Sequence, residues 1–119
     1  MKQDVFNEVF RNRTKALALK VVRESEEIKY SDALGIIRKQ LIRSVTSTAA
    51  NFRAVCRARS ERERFAKLCI VVEEADESLF WMELLLEGEF ITTEKIAPLY
   101  QEAEEILKVM SSFKSKFKS

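Results

Sequence analysis

Four carboxylates crowd into one short stretch of the chain: Glu73, Glu74, Asp76 and Glu77. A cluster of this kind can ligate a divalent cation, move protons, or take arginines as ion-pair partners. Di-iron bundles ligate through Glu-x-x-His pairs on facing helices. The sequence has no histidine, and no second carboxylate group falls on the core side of the segment upstream. No metal and no cofactor is therefore expected. Cys56 and Cys69 sit inside helical patterns and read as small packed thiols, with a disulfide or redox switch as the alternative. The arginines near Cys56 would lower its pKa, but no histidine base exists to complete a Cys–His pair. Glycine-rich phosphate loops are absent as well. The residue types point away from an enzyme, and no catalytic residue is assigned.

The ion-pair alternative has its partners in the run from Gln40 to Ser60, QLIRSVTSTAANFRAVCRARS. A carboxylate that loses water needs a partner, and a bidentate arginine fits best. The expected polar network holds Arg43, Ser47, Asn51, Arg57, Arg59, Glu74, Asp76 and Glu77. Trp81, beside Phe80, is expected at an interface between copies, where aromatic side chains are enriched. Pairs of this kind fix register more reliably than they add stability.

A net charge of +2 conceals a strong asymmetry. Residues 38–67 carry nine basic side chains against Glu61 and Glu63, and residues 68–105 carry eleven acidic ones against Lys95. Two uses follow. The basic segment can face phosphates, with Arg38, Lys39, Arg53, Arg57, Arg62, Arg64 and Lys67 as candidate RNA or DNA contacts. Alternatively, it can meet the acidic segment of a neighbouring copy, and contacts between unlike patches close into rings. No aromatic residues alternate with these cations, so base stacking is not expected.

Those side chains need elements to hold them. At 119 residues the chain reads as one domain, 1–119, able to bury about two-thirds of its unfolded surface. Two glycines and one proline are too few turn formers for a β-rich fold. The first helix is predicted over about 4–28, with Phe6, Phe10, Leu17, Val21 and Ile28 as its stripe. Val5, Val9, Ala16, Leu19 and Val22 widen that stripe enough for contact on two sides. The second spans about 33–56 behind a cap at Ser31 or Asp32. It carries Leu34, Ile37, Leu41, Val45, Thr48, Phe52 and Val55 on one face. A second face of Ser44, Ser47, Asn51 and Ala54 lets a neighbour approach closely. Gly35 falls inside this helix, at a cost of about 1 kcal/mol.

Ser60 and Glu63 have capping-box spacing, which starts the third helix at about 60–87. One continuous helix through residues 57–59 is the competing reading. Phe65, Leu68, Val72, Ala75, Leu79, Met82 and Leu86 follow a heptad up to Gly88, a natural position beyond a helix end. The fourth helix, about 93–117 behind Thr92 or Thr93, repeats the spacing with Ile96, Leu99, Ala103, Ile106, Met110, Phe113 and Phe117. Pro98 falls in its first turns, where a missing N–H is tolerated. The lysine-rich end, Lys114, Lys116 and Lys118, is expected to fray. Short loops make the fold all-α, an antiparallel up-down-up-down four-helix bundle. Apolar runs break well before the ~18 residues of a membrane span, and no secretory segment opens the chain. A soluble cytoplasmic protein is expected.

NRTKALALKVV, QLIRSVTSTAANFRAVCRARS and EEADESLFWMELL, in that order, resemble the 23S rRNA intervening-sequence proteins, also called the S23 family. The resemblance covers nearly the whole chain. Relatives share Arg43, Ser47, Asn51, Arg59-Ser60 and Glu77. Many have Asn-Ile-Ala-Glu-Gly where this chain has Asn51-Phe52-Arg53-Ala54-Val55. The resemblance implies a homo-oligomeric ring, often a pentamer, with no established catalytic activity. At fold level it extends to ring-forming accessory proteins of diversity-generating reverse transcriptase systems, which bind nucleic acid. The expected function is a non-enzymatic, self-assembling bundle, with an RNA- or DNA-binding accessory role as the alternative.

Overall fold

The structure is a computed structural model and describes residues 1–117. Lys118 lies outside the described residues. Four helices follow one another: α1 (Gln3–Ser25), α2 (Asp32–Cys56), α3 (Glu61–Glu87) and α4 (Thr93–Lys114). Two begin on serine caps, which satisfy orphan donors of the first turn. Ser31 Oγ accepts the Leu34 N–H at 3.1 Å and Ser60 Oγ accepts the Glu63 N–H at 3.0 Å. The Ser60 cap and the turn before it separate α2 from α3, so no continuous helix forms. Thr92 opens α4 with its backbone alone, its carbonyl accepting from Ile96.

Several expectations need correction. Helix α1 ends at Ser25 instead of 28. Ser25 Oγ donates back to the Val22 carbonyl at 2.7 Å, and the chain then turns so that Ile28 is buried. Helix α4 ends at Lys114 instead of 117, with a turn over Ser115–Phe117. Pro98 is the sixth residue of α4, beyond the first turn. There it deprives the Glu94 carbonyl of its helical donor.

Gly88 does not take the left-handed conformation at the end of α3. It stays right-handed at φ −79°, and Glu89 takes φ 57°. Phe90 N–H donates to the Leu85 carbonyl and Glu89 N–H to Leu86, which is a Schellman turn. Glycine stands one residue early because the Phe90 ring covers it: a Cβ on Gly88 would lie 2.3 Å from that ring. Glu89 therefore carries the left-handed strain that glycine would avoid. Glu89→Gly is expected to raise stability by about 1 kcal/mol, read as a higher urea midpoint at unchanged slope. An unchanged or lower midpoint would contradict the account.

The helices form a square. α1 touches α2 and α4, α3 touches α2 and α4, and the diagonal pairs do not meet. The extents are 44 × 24 × 19 Å. Phe10, Leu17, Val21, Leu41, Val45, Phe52, Val55, Leu68, Val71, Met82, Leu85, Ile96, Ile106 and Met110 fill the centre. The stripe of α4 matches its heptad up to Phe113, and Phe117 is half-buried. The stripe of α3 is wider than its heptad. Val71, Ser78 and Leu85 are buried, whereas Val72 and Leu86 are only half-buried. A helix with two neighbours buries an arc, not a single seam. The widened stripe of α1 does not all turn inward. Val5, Ala16 and Leu19 are exposed.

Halfway along, the core is small and hydroxylated. Thr14 donates to the Phe10 carbonyl, Thr48 to Ser44 and Ser78 to Glu74, each at 2.8 Å. Every one of these buried hydroxyls is satisfied. Ser78 Oγ also lies 3.1 Å from Ser44 Oγ, marking close approach of α2 and α3. The α1–α4 edge is sparser. There Arg13 forks onto Glu102, with Nη2 2.6 Å from Oε1 and Nε 3.0 Å from Oε2. Phe6 meets Phe113 at 4.8 Å between ring centres.

Candidate functional site: a polar seam and a basic cleft

Helical spacing puts Ile36, Gln40, Arg43 and Ser47 on one stripe of α2, and Ile70, Glu74, Glu77, Trp81 and Leu84 on one stripe of α3. The stripes flank the outer groove between the two helices. Arg43 bridges them: Nη1 reaches Glu74 Oε2 at 3.1 Å and Nη2 reaches Glu77 Oε2 at 2.6 Å. Gln40 Oε1 accepts from Arg43 Nε at 3.0 Å, and Trp81 Nε1 donates to Glu77 Oε1 at 3.4 Å. The two carboxylates respond in opposite directions. The Arg43 hydrogen bond holds Glu77 below the ordinary carboxylate range. Burial pushes Glu74 above it, with Arg43 opposing.

Only part of the expected network assembles. Asn51 donates to the Ser47 carbonyl and hydroxyl within α2. Arg57, Arg59 and Asp76 are exposed, and among the described residues they form no ion pair. Asp76 turns away because one residue along a helix rotates a side chain by about 100°. Arg57 and Arg59 flank the α2–α3 turn, beyond the reach of Glu74 and Glu77 higher on α3. Sequence reading missed the Ser44–Ser78 pair, whose only signal was a small polar residue at a core spacing.

The candidate nucleic-acid contacts also separate. Arg64 pairs with Glu61 at 2.6 Å. Arg62 is exposed and Lys67 half-buried on α3, while Arg38 and Lys39 lie toward the opposite end of α2. Arg53 and Arg57 instead join Arg11 and Lys15 of α1, lining an open cleft of about 450 Å³ between α1 and α2. Cys56 lies close by on α2, and burial pushes its thiol up against the opposing pull of Arg11. The arginines do not activate it. On the other side of the bundle, Tyr100 donates to Glu83 Oε2 at 2.9 Å, and Glu83, Glu104 and Glu87 together push the phenol up. Among the described residues no three histidine, cysteine or acidic side chains converge on a metal-sized site. No described helix is long and apolar enough to cross a membrane.

The family model of the 23S rRNA-intervening sequence protein matches residues 8–112. The chain belongs to that family. The crystal structure of an S23 ribosomal protein family member of unknown function, from Bacteroides thetaiotaomicron VPI-5482, superposes with a TM-score of 0.83. It is 29% identical, and the match covers 92% of this chain and 97% of that one. No curated protein matches.

In this member of the 23S rRNA-intervening sequence family, Arg43→Gln tests the seam. It leaves Glu74, whose side chain is 17% exposed, beside Glu77 without a cation. The expected loss is about 1 kcal/mol at neutral pH, since solvent already screens so open an arginine. Glu77, held low, contributes stability above the ordinary value of 4.5 and loses it as pH falls through its folded value. Glu74, held high, favours the fold below 4.5 and loses that contribution as pH rises through its folded value. In the variant both carboxylates take up protons more readily. The gap to the parent should therefore close on acidification toward about pH 4. Urea melts at neutral and acidic pH measure it, and a gap that widens in acid rules the account out.

Proposed function

We propose that this chain is a non-enzymatic assembly module of the cytoplasm. It closes head-to-tail into a homo-oligomeric ring, of five copies as the family resemblance implies. One observation carries the reading: large apolar side chains face solvent on the diagonally opposite helices α1 and α3. On α3, Phe80 is 49% exposed and stacks edge-on against Trp81 at 4.9 Å. On α1, Leu19 is 49% and Val5 46% exposed. Unlike patches on opposite corners cannot pair by a two-fold axis. They join copy to copy around a closed circle. The fixed Arg43–Glu74–Glu77 cluster beside Phe80 and Trp81 supplies a preorganised polar border to that contact. The two free cysteines fit a reducing compartment.

Size-exclusion chromatography with light scattering tests it. The parent should run as an oligomer at ~10 µM, within reach of an interface of about −7 kcal/mol or better. Phe80→Asp and Leu19→Asp should each break the ring. Mixing the two variants should restore one intact contact per pair and yield a dimer. A strictly monomeric parent ends the proposal.

A second reading, nucleic-acid binding through the basic side of α2, is favoured by the α1–α2 cleft. Arg53 and Arg57 stand there beside two further cations, where the field of one sign is concentrated.

A further inference from the structure

The α1–α2 cleft has a lining that the bundle itself does not require. Arg11 and Lys15 stand one turn apart on α1, and Arg53 and Arg57 stand one turn apart on α2. Like charges at that spacing repel. Among the described residues none of these four has an ion pair, and no carboxylate lines the cleft. The helix dipole accounts for Arg53 in the last turn of α2 and for Arg57 just beyond its end. It does not account for Arg11 and Lys15, which sit within α1.

The walls between the cations are small and nearly featureless. Ala49 and Ala50 line the α2 side and Ala18 the α1 side, with Asn12 and Thr46 as the uncharged hydrogen-bonding groups. No aromatic or large aliphatic side chain is present to anchor a protein partner or to stack a base. From Thr46 to Arg57 the track runs about 16 Å along α2. A stacked strand rises about 3.4 Å per phosphate, so the track passes four or five of them.

We infer that the α1–α2 cleft is a nucleic-acid site that grips the phosphodiester backbone through Arg11, Lys15, Arg53 and Arg57 and reads no base. The inference rests on the second reading above and gives it a place and a partner chemistry. Phosphate contacts position a strand without specifying its sequence. The four cations converge from two helices, whose packing against each other sets their spacing. Asn12 can donate to phosphate or sugar oxygens between them, whereas the Thr46 hydroxyl donates to the Ile42 carbonyl at 2.6 Å.

The test is fluorescence anisotropy with labelled single-stranded RNA of about 16 nucleotides in several mixed sequences. Four backbone contacts predict a log–log salt slope near −3, or about fiftyfold weaker binding between about 50 and 200 mM salt. Sequence should matter little. Lys15→Gln with Arg53→Gln should halve the slope and reduce that loss to about sevenfold. Lys15→Glu with Arg53→Glu should abolish binding, whereas Lys20→Glu with Lys108→Glu, equal in charge but outside the cleft, should keep most of it.

A parent that does not bind at low salt overturns both the second reading and the site. If the parent binds but the two reversal pairs weaken it equally, the site falls and the reading stands. If the cleft reversal disperses the oligomer while its protomers still bind RNA like the parent, the cleft holds a second copy of the chain and the site is refuted. Should the reversal variant fail to fold, the slope of the glutamine pair decides.

Discussion

Phe52→Ala is expected to cost about 3–5 kcal/mol, the largest loss from any single side chain named above. Phe52 is 0% exposed, and its ring meets Phe6 edge-on at 6.3 Å. Phe6 in turn touches Phe10 and Phe113, each at 4.8 Å. Rings from three helices thus lock one end of the bundle. Truncation removes apolar contact and leaves a void that stiff helices close only in part. It also removes an edge-to-face pair worth about 1 kcal/mol beyond its area. Thermal unfolding at fixed protomer concentration should show a midpoint lower by about 15 °C. A fall of only a few degrees would mean that the aromatic cluster is loosely packed.

Ser44→Leu is expected to cost about 3 kcal/mol for the opposite reason, too much side chain. Ser44 is fully buried, its hydroxyl donates to the Leu41 carbonyl at 3.1 Å, and Ser78 Oγ lies at 3.1 Å across the α2–α3 contact. Three additional carbons have no room while the helices stay this close, so α2 must move or the rotamer must strain. Ser44→Ala separates volume from polarity and should cost about 1 kcal/mol. Ser44→Ala with Ser78→Ala should cost less than the two single changes added together, because the Ser44–Ser78 contact is counted in both single losses and is lost only once in the double. Urea midpoints of the set provide the cycle. A tolerated leucine would show that the helices do not depend on small residues here.

The fold was largely legible because periodic apolar spacing is local. The heptad of α4 and the serine caps at Ser31 and Ser60 each lie within a few residues of the feature they determine. The two early helix ends turned on Ser25 Oγ donating to the Val22 carbonyl and Ser115 Oγ donating to the Ser112 carbonyl at 2.7 Å, a local event that spacing does not report. The Glu89 conformation was hidden for a different reason: a ring two residues away claims the space over Gly88. In the site, Arg43, Glu74, Glu77 and Trp81 were recoverable because they share exposed stripes on neighbouring helices. Arg57, Arg59 and Asp76 were not excluded by residue type, only by height and rotation along their helices. Arg11 and Lys15 drew no attention among the balanced charges of the first segment. Packing against α2 gives them meaning.

The square arrangement bears on how this molecule comes apart. Three of its four helix contacts join consecutive helices, and the fourth, between α1 and α4, is the sparsest. Low contact order of this kind goes with fast folding, and the last edge to form is the one that loosens first. Hydrogen exchange would then proceed as a hinged door opens, with amides of α1 and α4 trading protons while those facing the Ser44–Ser78 contact stay locked. Breathing of this sort would swing Leu19 and Arg11 together, making one outer helix the mobile leaf of an otherwise rigid frame.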